Sequence, residues 1–178
     1  MSESASDKTN SVATTQQDAA LQGTVGDGDQ YLTFTLGDEE YGVDILRVQE
    51  IRAWDTATPI PNTPPYVKGV INMRGTIVPV VDLRERFGME TLEYTQFTVV
   101  VLVKVIHGNR ERIMGLIVDA LSEVYGINED QLRPPPEFGT VIRTDFIRGL
   151  ATMEDKMVIV LDVDSLLGED AGVGGDGD

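Results

Sequence analysis

"KGVINMRGTIVPVVDLRERFG", residues Lys68–Gly88, lies without a gap over "RGLATMEDKMVIVLDVDSLLG", residues Arg148–Gly168. Identities fall at Gly69/Gly149, Met73/Met153, Val78/Val158, Val80/Val160, Asp82/Asp162 and Gly88/Gly168, and several other positions exchange one apolar residue for another. Upstream, "YGVDILRVQEI" (Tyr41–Ile51) overlies "MGLIVDALSEV" (Met114–Val124), pairing Gly42 with Gly115 and Glu50 with Glu123. The offset changes because the second copy is lengthened through "NEDQLRPPPEFGTVIRTD". One unit carried twice, in order, predicts two like substructures.

Each copy reads as about five short strands, β-branched and separated by turn signals. In the first these are "YLTFTL" and "EEYGVD" around Gly37-Asp38, then "VQEIRA", then "GVINMR" and "TIVPVV" around Arg74-Gly75. In the second they are "FTVVVLVKVI", "RIMGLIV", "LSEVYGI", "IRGLATM" and "KMVIVLD". Five strands that close on themselves leave no open edge. The expectation is an all-β protein: two tandem five-stranded barrels, side by side, related by approximate two-fold symmetry. Asp82 and Asp162 each precede a short amphipathic run ending in Gly, the pattern of an N-cap, one or two helical turns and a terminal glycine. Pro79, having no N–H, is expected at an edge or a bulge; its twin is Ile159.

Around this core, residues 1–30 are polar without apolar periodicity and read as a disordered arm. Residues 169–178, "EDAGVGGDGD", read as an acidic, glycine-rich tail. The folded region is 31–168, expected as two interlocked barrel subdomains with their boundary near residues 90–96. A core of this size buries roughly two-thirds of its unfolded surface and needs no metal or disulfide.

Among 178 residues, 30 are acidic and 14 basic, giving a net charge of −16. That sign disfavours a phosphate backbone and an anionic membrane. No Cys is present, so disulfides and thiolate sites are excluded. A polar N-terminus and the absence of a long apolar run lead us to expect a cytoplasmic protein without membrane insertion. The single His, His107, sits beside a Gly-Asn turn and cannot build a His-rich metal site. No phosphate-binding glycine loop occurs. Trp54 reads as a packing anchor. Asp82 and Asp162, one per copy, would suit an aspartate-pair hydrolase, but the capping pattern is the better account. The expectation is a protein without catalysis, cofactor or metal, whose business is a surface.

The stretches "FTLGDEEYGVDILRVQEIR", "NTPPYVKGVINMRGTIVPVVDLR", "VDALSEV" and "QLRPPPEF" resemble the CheW family of chemotaxis adaptors, over essentially all of residues 31–168. The resemblance implies SH3-like barrels and a non-catalytic adaptor that couples chemoreceptor cytoplasmic tips, in membrane-anchored arrays, to the regulatory domain of the histidine kinase CheA. It implies a binding surface that includes Asn72, Arg74 and Gly75 of the hairpin, with Glu50 as the acid that pairs with Arg74. Val48 shares Glu50's strand face by alternation, and with Ile51 and Val99 it would line an apolar groove for a receptor helix. The kinase-facing surface is expected partly around Arg74–Val80. Other expectations open at this point are a scaffold in a chemosensory pathway unrelated to swimming, the aspartate-pair enzyme, and a plain oligomerising barrel.

Overall fold

The computed structural model describes residues 29–135 and 144–168. The acidic tail and all but the last two residues of the polar arm lie outside them, as does part of the long second-copy connection. Among these described residues are ten strands: β1 (Asp29–Leu36), β2 (Glu39–Asp44), β3 (Val48–Ala53), β4 (Val67–Met73), β5 (Thr76–Asp82), β6 (Val99–His107), β7 (Arg110–Val118), β8 (Ala120–Ile127), β9 (Ile147–Met153) and β10 (Lys156–Leu161). The short helices are α1 (Leu83–Arg86) and α2 (Val163–Leu167). β1 starts at Asp29, inside the stretch expected to be disordered, because Asp29 and Gln30 pair with Ile127 and Gly126 of β8.

The strands form two five-stranded SH3-like barrels, ordered β3-β6-β7-β5-β4 and β8-β1-β2-β10-β9. Exchanging every strand for its twin, β1 for β6 through β5 for β10, turns one order into the other. The symmetry reaches the register: Gly115 on β7 lies opposite Val80 on β5, and Gly42 on β2 lies opposite Val160 on β10. Twin bridges, Thr58 with Val70 and Arg133 with Leu150, draw in the rims.

Neither barrel is one copy of the repeat, however. β1 and β2 of the first copy join β8, β9 and β10 of the second, while β6 and β7 join β3, β4 and β5. The connection near residues 90–96 therefore separates the copies but not the barrels. The crossings are short: a 3₁₀ turn (Ile45–Arg47) leads from β2 to β3, and Asp119 alone separates β7 from β8.

Burial follows from this exchange. One face of β1 and β2, carrying Phe34, Leu36, Tyr41 and Val43, packs against Val101, Val103, Met114 and Leu116 of β6 and β7 in a core between the sheets. The opposite faces fill smaller interiors, Val78, Val80, Val100 and Leu102 in the first barrel and Tyr31, Val158 and Val160 in the second. Pro79 is not at an edge, since β5 runs between β7 and β4. It is tolerated because Val70, opposite it, turns its own N–H and C=O outward onto Thr58, both at 2.9 Å. The parallel ladder to β7 then begins one residue later, at Val80.

Polar clamps tie the copies together. Arg86 lies between the rings of Tyr66 and Phe146, 4.8 and 4.7 Å from their centroids, two residues that are themselves twins. Arg84 donates to both carboxylate oxygens of Asp119 at 2.9 and 2.7 Å, and Arg47 does the same to Asp164 at 2.7 and 2.8 Å. The hydrogen bonds from Arg47 hold the Asp164 carboxyl below its ordinary pKa, against partial burial and with help from the Ile106 N–H. At Asp119 burial opposes ionisation, but Arg84 and the Gly37 N–H outweigh it, and the pKa is again lowered.

A carboxyl with a lower pKa folded than unfolded stabilises the fold above the unfolded value of ~3.9, and loses that contribution as pH falls through the folded pKa. The thermal midpoint is therefore expected to hold steady from neutrality to about pH 5 and to fall below about pH 4. An Arg47→Gln/Arg84→Gln variant should melt a few degrees lower at neutral pH, with the gap closing in acid; melts followed by circular dichroism across pH check this. A gap that persists unchanged at low pH would show that the two carboxylates are not what titrates.

Candidate functional site

The hairpin between β4 and β5 turns through Arg74 at φ 51° and Gly75 at φ 88°. Two successive left-handed residues make the type I′ turn that matches strand twist. Asn72 supports it by accepting the Gly75 N–H on Oδ1 at 2.8 Å. The twin hairpin makes the same turn with Glu154 and Asp155, at φ 52° and 68°. The turn itself therefore does not ask for arginine, and the reason for Arg74 lies in what its side chain reaches.

It reaches Glu50 on β3, with Arg74 Nη1 2.8 Å from Oε1, and remains 73% exposed. A second guanidinium, unanticipated from the sequence, holds the other oxygen: Arg52 Nε donates to Glu50 Oε2 at 2.8 Å. Arg52 Nη1 also donates to the Asn72 carbonyl at 3.3 Å, joining β3 to the hairpin. The hydrogen bond and charge of Arg52, then the charge of Arg74, keep the Glu50 carboxyl below its ordinary pKa. One acid thus holds two cations on the rim of the first barrel. The signal for Arg52 was its position two residues from Glu50 on an alternating strand. In the second barrel the twins of Glu50, Arg52 and Arg74 are Glu123, Tyr125 and Glu154. Burial there, before the charge of Glu123, pushes the Tyr125 phenol up to about 12. None of these three twin positions carries a cation, so the arrangement is not repeated there.

Val48 does not share a face with Glu50. Val48 lies opposite Val103 and Glu50 opposite Leu102, so β3 spends one extra residue, a bulge at Gln49. A single inserted residue reverses the faces downstream. Val48 consequently packs on the core between the sheets, as does Val99. Ile51 and Ala53 follow on that side, opposite Val101 and Val99, and Ile51 is 38% exposed. The structure thus divides the anticipated residues into a polar cluster of Glu50, Asn72, Arg74 and Gly75 and an apolar strip of Val48, Ile51 and Val99. β3, at the end of its sheet, carries Glu50 on one face and Val48 and Ile51 on the other, while Val99 stands on the neighbouring β6 and Asn72, Arg74 and Gly75 on the hairpin. Leu46, just before β3, and Phe97, just before β6, are large apolar residues at 77% and 62% exposure, and composition alone did not single them out.

Asp82 and Asp162 cap helices. Asp82 Oδ1 accepts the Glu85 N–H at 3.2 Å and Oδ2 the Tyr94 hydroxyl at 2.6 Å. Asp162 Oδ1 accepts the N–H groups of Asp164 and Ser165 at 3.1 and 3.2 Å. Trp54 packs edge-on against Tyr94 at 4.8 Å, as a packing anchor should. Among the described residues no group of three or more potential ligands is placed to hold a metal ion, and no helix is long and apolar enough to cross a membrane.

The family model for the CheW-like domain matches residues 30–171. The chain is 44% identical over 140 residues to the chemotaxis protein CheW of Klebsiella aerogenes, covering 79% of this chain and 82% of that one. It is 37% identical over 139 residues to CheW of Rhizobium meliloti, covering 78% and 87%. The crystal structure of the scaffolding protein TtCheW from Thermoanaerobacter tengcongensis superimposes with a TM-score of 0.71 at 37% identity, over 80% of this chain and 89% of that one. Sequence, matched span and fold coincide over the same duplicated barrels, and the chain belongs to the CheW family.

Proposed function

We propose that the chain is a non-catalytic adaptor in chemotaxis signalling that couples chemoreceptor cytoplasmic tips to the histidine kinase CheA. Family membership supports the adaptor role, and the capping work of Asp82 and Asp162 leaves the aspartate-pair reaction without support. The observation that carries the docking surface is the rim of the first barrel. There Glu50 holds two guanidinium groups on one face of the end strand β3, whose other face carries Val48 and Ile51 next to Val99 of β6. An exposed ion pair adds little to stability. Its worth is orientation, since arginine held in a fixed pose is a common anchor of protein interfaces.

The strip of Val48, Ile51 and Val99 would take the apolar face of a receptor helix, while the hairpin around Arg74–Val80 would meet the kinase's regulatory domain. The adaptor would work on the cytoplasmic side, at the receptor array. Individual contacts can be weak there, because an array raises effective concentration. Arg74→Ala is expected to weaken binding of a receptor-tip fragment, a CheA regulatory domain, or both, by about tenfold or more, the scale of an interface hot spot. Calorimetric titration with each partner measures it. Unchanged affinity for both, in a variant that melts like the parent, removes Arg74 from the surface.

A further inference from the structure

The strand exchange makes each copy of the repeat incomplete alone. Among the described residues, four of the eight strand pairings join the copies: β1 with β8, β2 with β10, β3 with β6, and β5 with β7. Separated, the first copy would keep two hairpins and a solitary strand, and isolated hairpins are marginal in water. What each copy needs is its counterpart's surface.

Two clamps decide which counterpart fits. Arg47 and Arg84 belong to the first copy, Asp164 and Asp119 to the second, and both are bidentate pairs across the seam. Arg84 and Asp164 are twin positions, each the second residue of its short helix. The symmetry therefore predicts the result of mispairing. If two first copies came together, Arg84 of one would meet Arg47 of the other. If two second copies came together, Asp164 would meet Asp119. Either arrangement sets like charges in half-buried contact and strands the hydrogen bonds. A further ion pair across the seam, Lys156 with Glu40 at 3.8 Å, runs the other way. It is longer, and its twin positions are the uncharged Thr76 and Ile113, so it does not offset the polarity.

The connection between the copies is compatible with exchange. From Glu90 to Phe97 every residue except Tyr94 is exposed. Apart from turns of its own, its ties are the Tyr94 hydroxyl on Asp82, the Tyr94 ring against Trp54 and the Arg84 guanidinium on the Glu90 carbonyl. Residues 89–98 can extend to roughly 33–36 Å. We propose that the copies recognise each other through the polarity of the Arg47–Asp164 and Arg84–Asp119 clamps. We propose further that a second molecule of this chain can supply the counterpart, giving a reciprocally exchanged dimer in which every contact across the seam is retained. Such a dimer would carry each docking face twice.

Two full-length variants test this. One is Arg47→Asp/Arg84→Asp, the other Asp119→Arg/Asp164→Arg. Each alone opposes like charges at both clamps and should melt lower by on the order of 10 °C. Refolded together in equal amounts, they should yield a mixed dimer, because exchange restores opposite charges at all four clamps. Native mass spectrometry should show one of each chain, and at least half of the lost thermal midpoint should return. Recovery is partial because Asp119 and Asp164 also accept the N–H groups of Gly37 and Ile106. Mixtures that contain only separate monomers with unrestored midpoints overturn the exchange. A single chain carrying all four reversals guards against a variant that merely fails to fold. It should be monomeric and more stable than either double variant, and if it is no more stable than they are, the polarity does not specify the pairing.

Discussion

Replacing Gly69 by alanine should lower the thermal midpoint by on the order of 10 °C, far more than the same change at its twin, Gly149. Gly69 stands at φ 138°, and a Cβ there would lie 2.2 Å from the Thr58 carbonyl oxygen and 3.0 Å from the Pro59 Cα. Both obstacles are backbone, so relief requires moving the segment that closes the first barrel. That motion threatens the reciprocal Thr58–Val70 hydrogen bonds, each 2.9 Å. Backbone strain of ~1–3 kcal/mol, with two hydrogen bonds of ~0.5–1.5 kcal/mol each, gives a loss of roughly 2–6 kcal/mol. That is a large share of a typical stability of ~5–15 kcal/mol.

At Gly149 no left-handed φ is involved, and the nearest atoms are Leu132 Cβ at 3.1 Å and the Arg133 oxygen at 3.3 Å, a crowding of a few tenths of an ångström. Alanine there should cost about 1 kcal/mol. Gly75, at φ 88° with nothing within 4 Å, isolates strain from collision and should cost ~1–2 kcal/mol. Chemical and thermal unfolding of the three variants checks the order. A Gly69→Ala protein that melts with the parent would mean that the Thr58 bridge contributes nothing to closing the barrel.

Much of this architecture was legible because duplication is read by comparing the chain with itself. The aligned Val80 and Val160 occupy matching registers against Gly115 and Gly42, and the aligned Asp82 and Asp162 cap matching helices. Which strands cross from one copy to the other was not legible. Alternation says which residues of β1 are buried, but Phe34 satisfies it equally against its own copy or the other. Asp119, the only residue between β7 and β8, carries no glycine or proline to announce a crossing.

The same blindness explains the misplacement of Val48. "RVQEI" contains nothing that marks a bulge, and one extra residue there sends Val48 and Glu50 to opposite faces. Pro79 on an inner strand is the reverse case. The local rule against it is sound, and a tertiary detail, Val70 bonding outward to Thr58, suspends it. At the rim, the Glu50–Arg74 pair was anticipated through family resemblance, whereas Arg52 followed from strand periodicity and was overlooked.

Ile51→Glu should abolish docking of a receptor-tip helix, weakening it by on the order of 100-fold, while leaving the fold close to intact. Ile51 is 38% exposed on an end strand, and a carboxylate there can reach water in the free protein. In a complex that covers Val48, Ile51 and Val99 it could not. An uncompensated charge would be buried among apolar groups, and a binding free energy has little room to absorb that. Gln49→Glu supplies the control. Gln49 is the exposed, bulged residue, so the same charge enters the same strand without entering the strip. If Glu at 51 weakens binding and Glu at 49 does not, apolar contact on that face is required. If both weaken it equally, the effect is general repulsion within an already acidic chain, and the strip is not the contact. If neither does, receptor helices dock elsewhere, and the rim around Arg74 would have to be considered for the kinase alone.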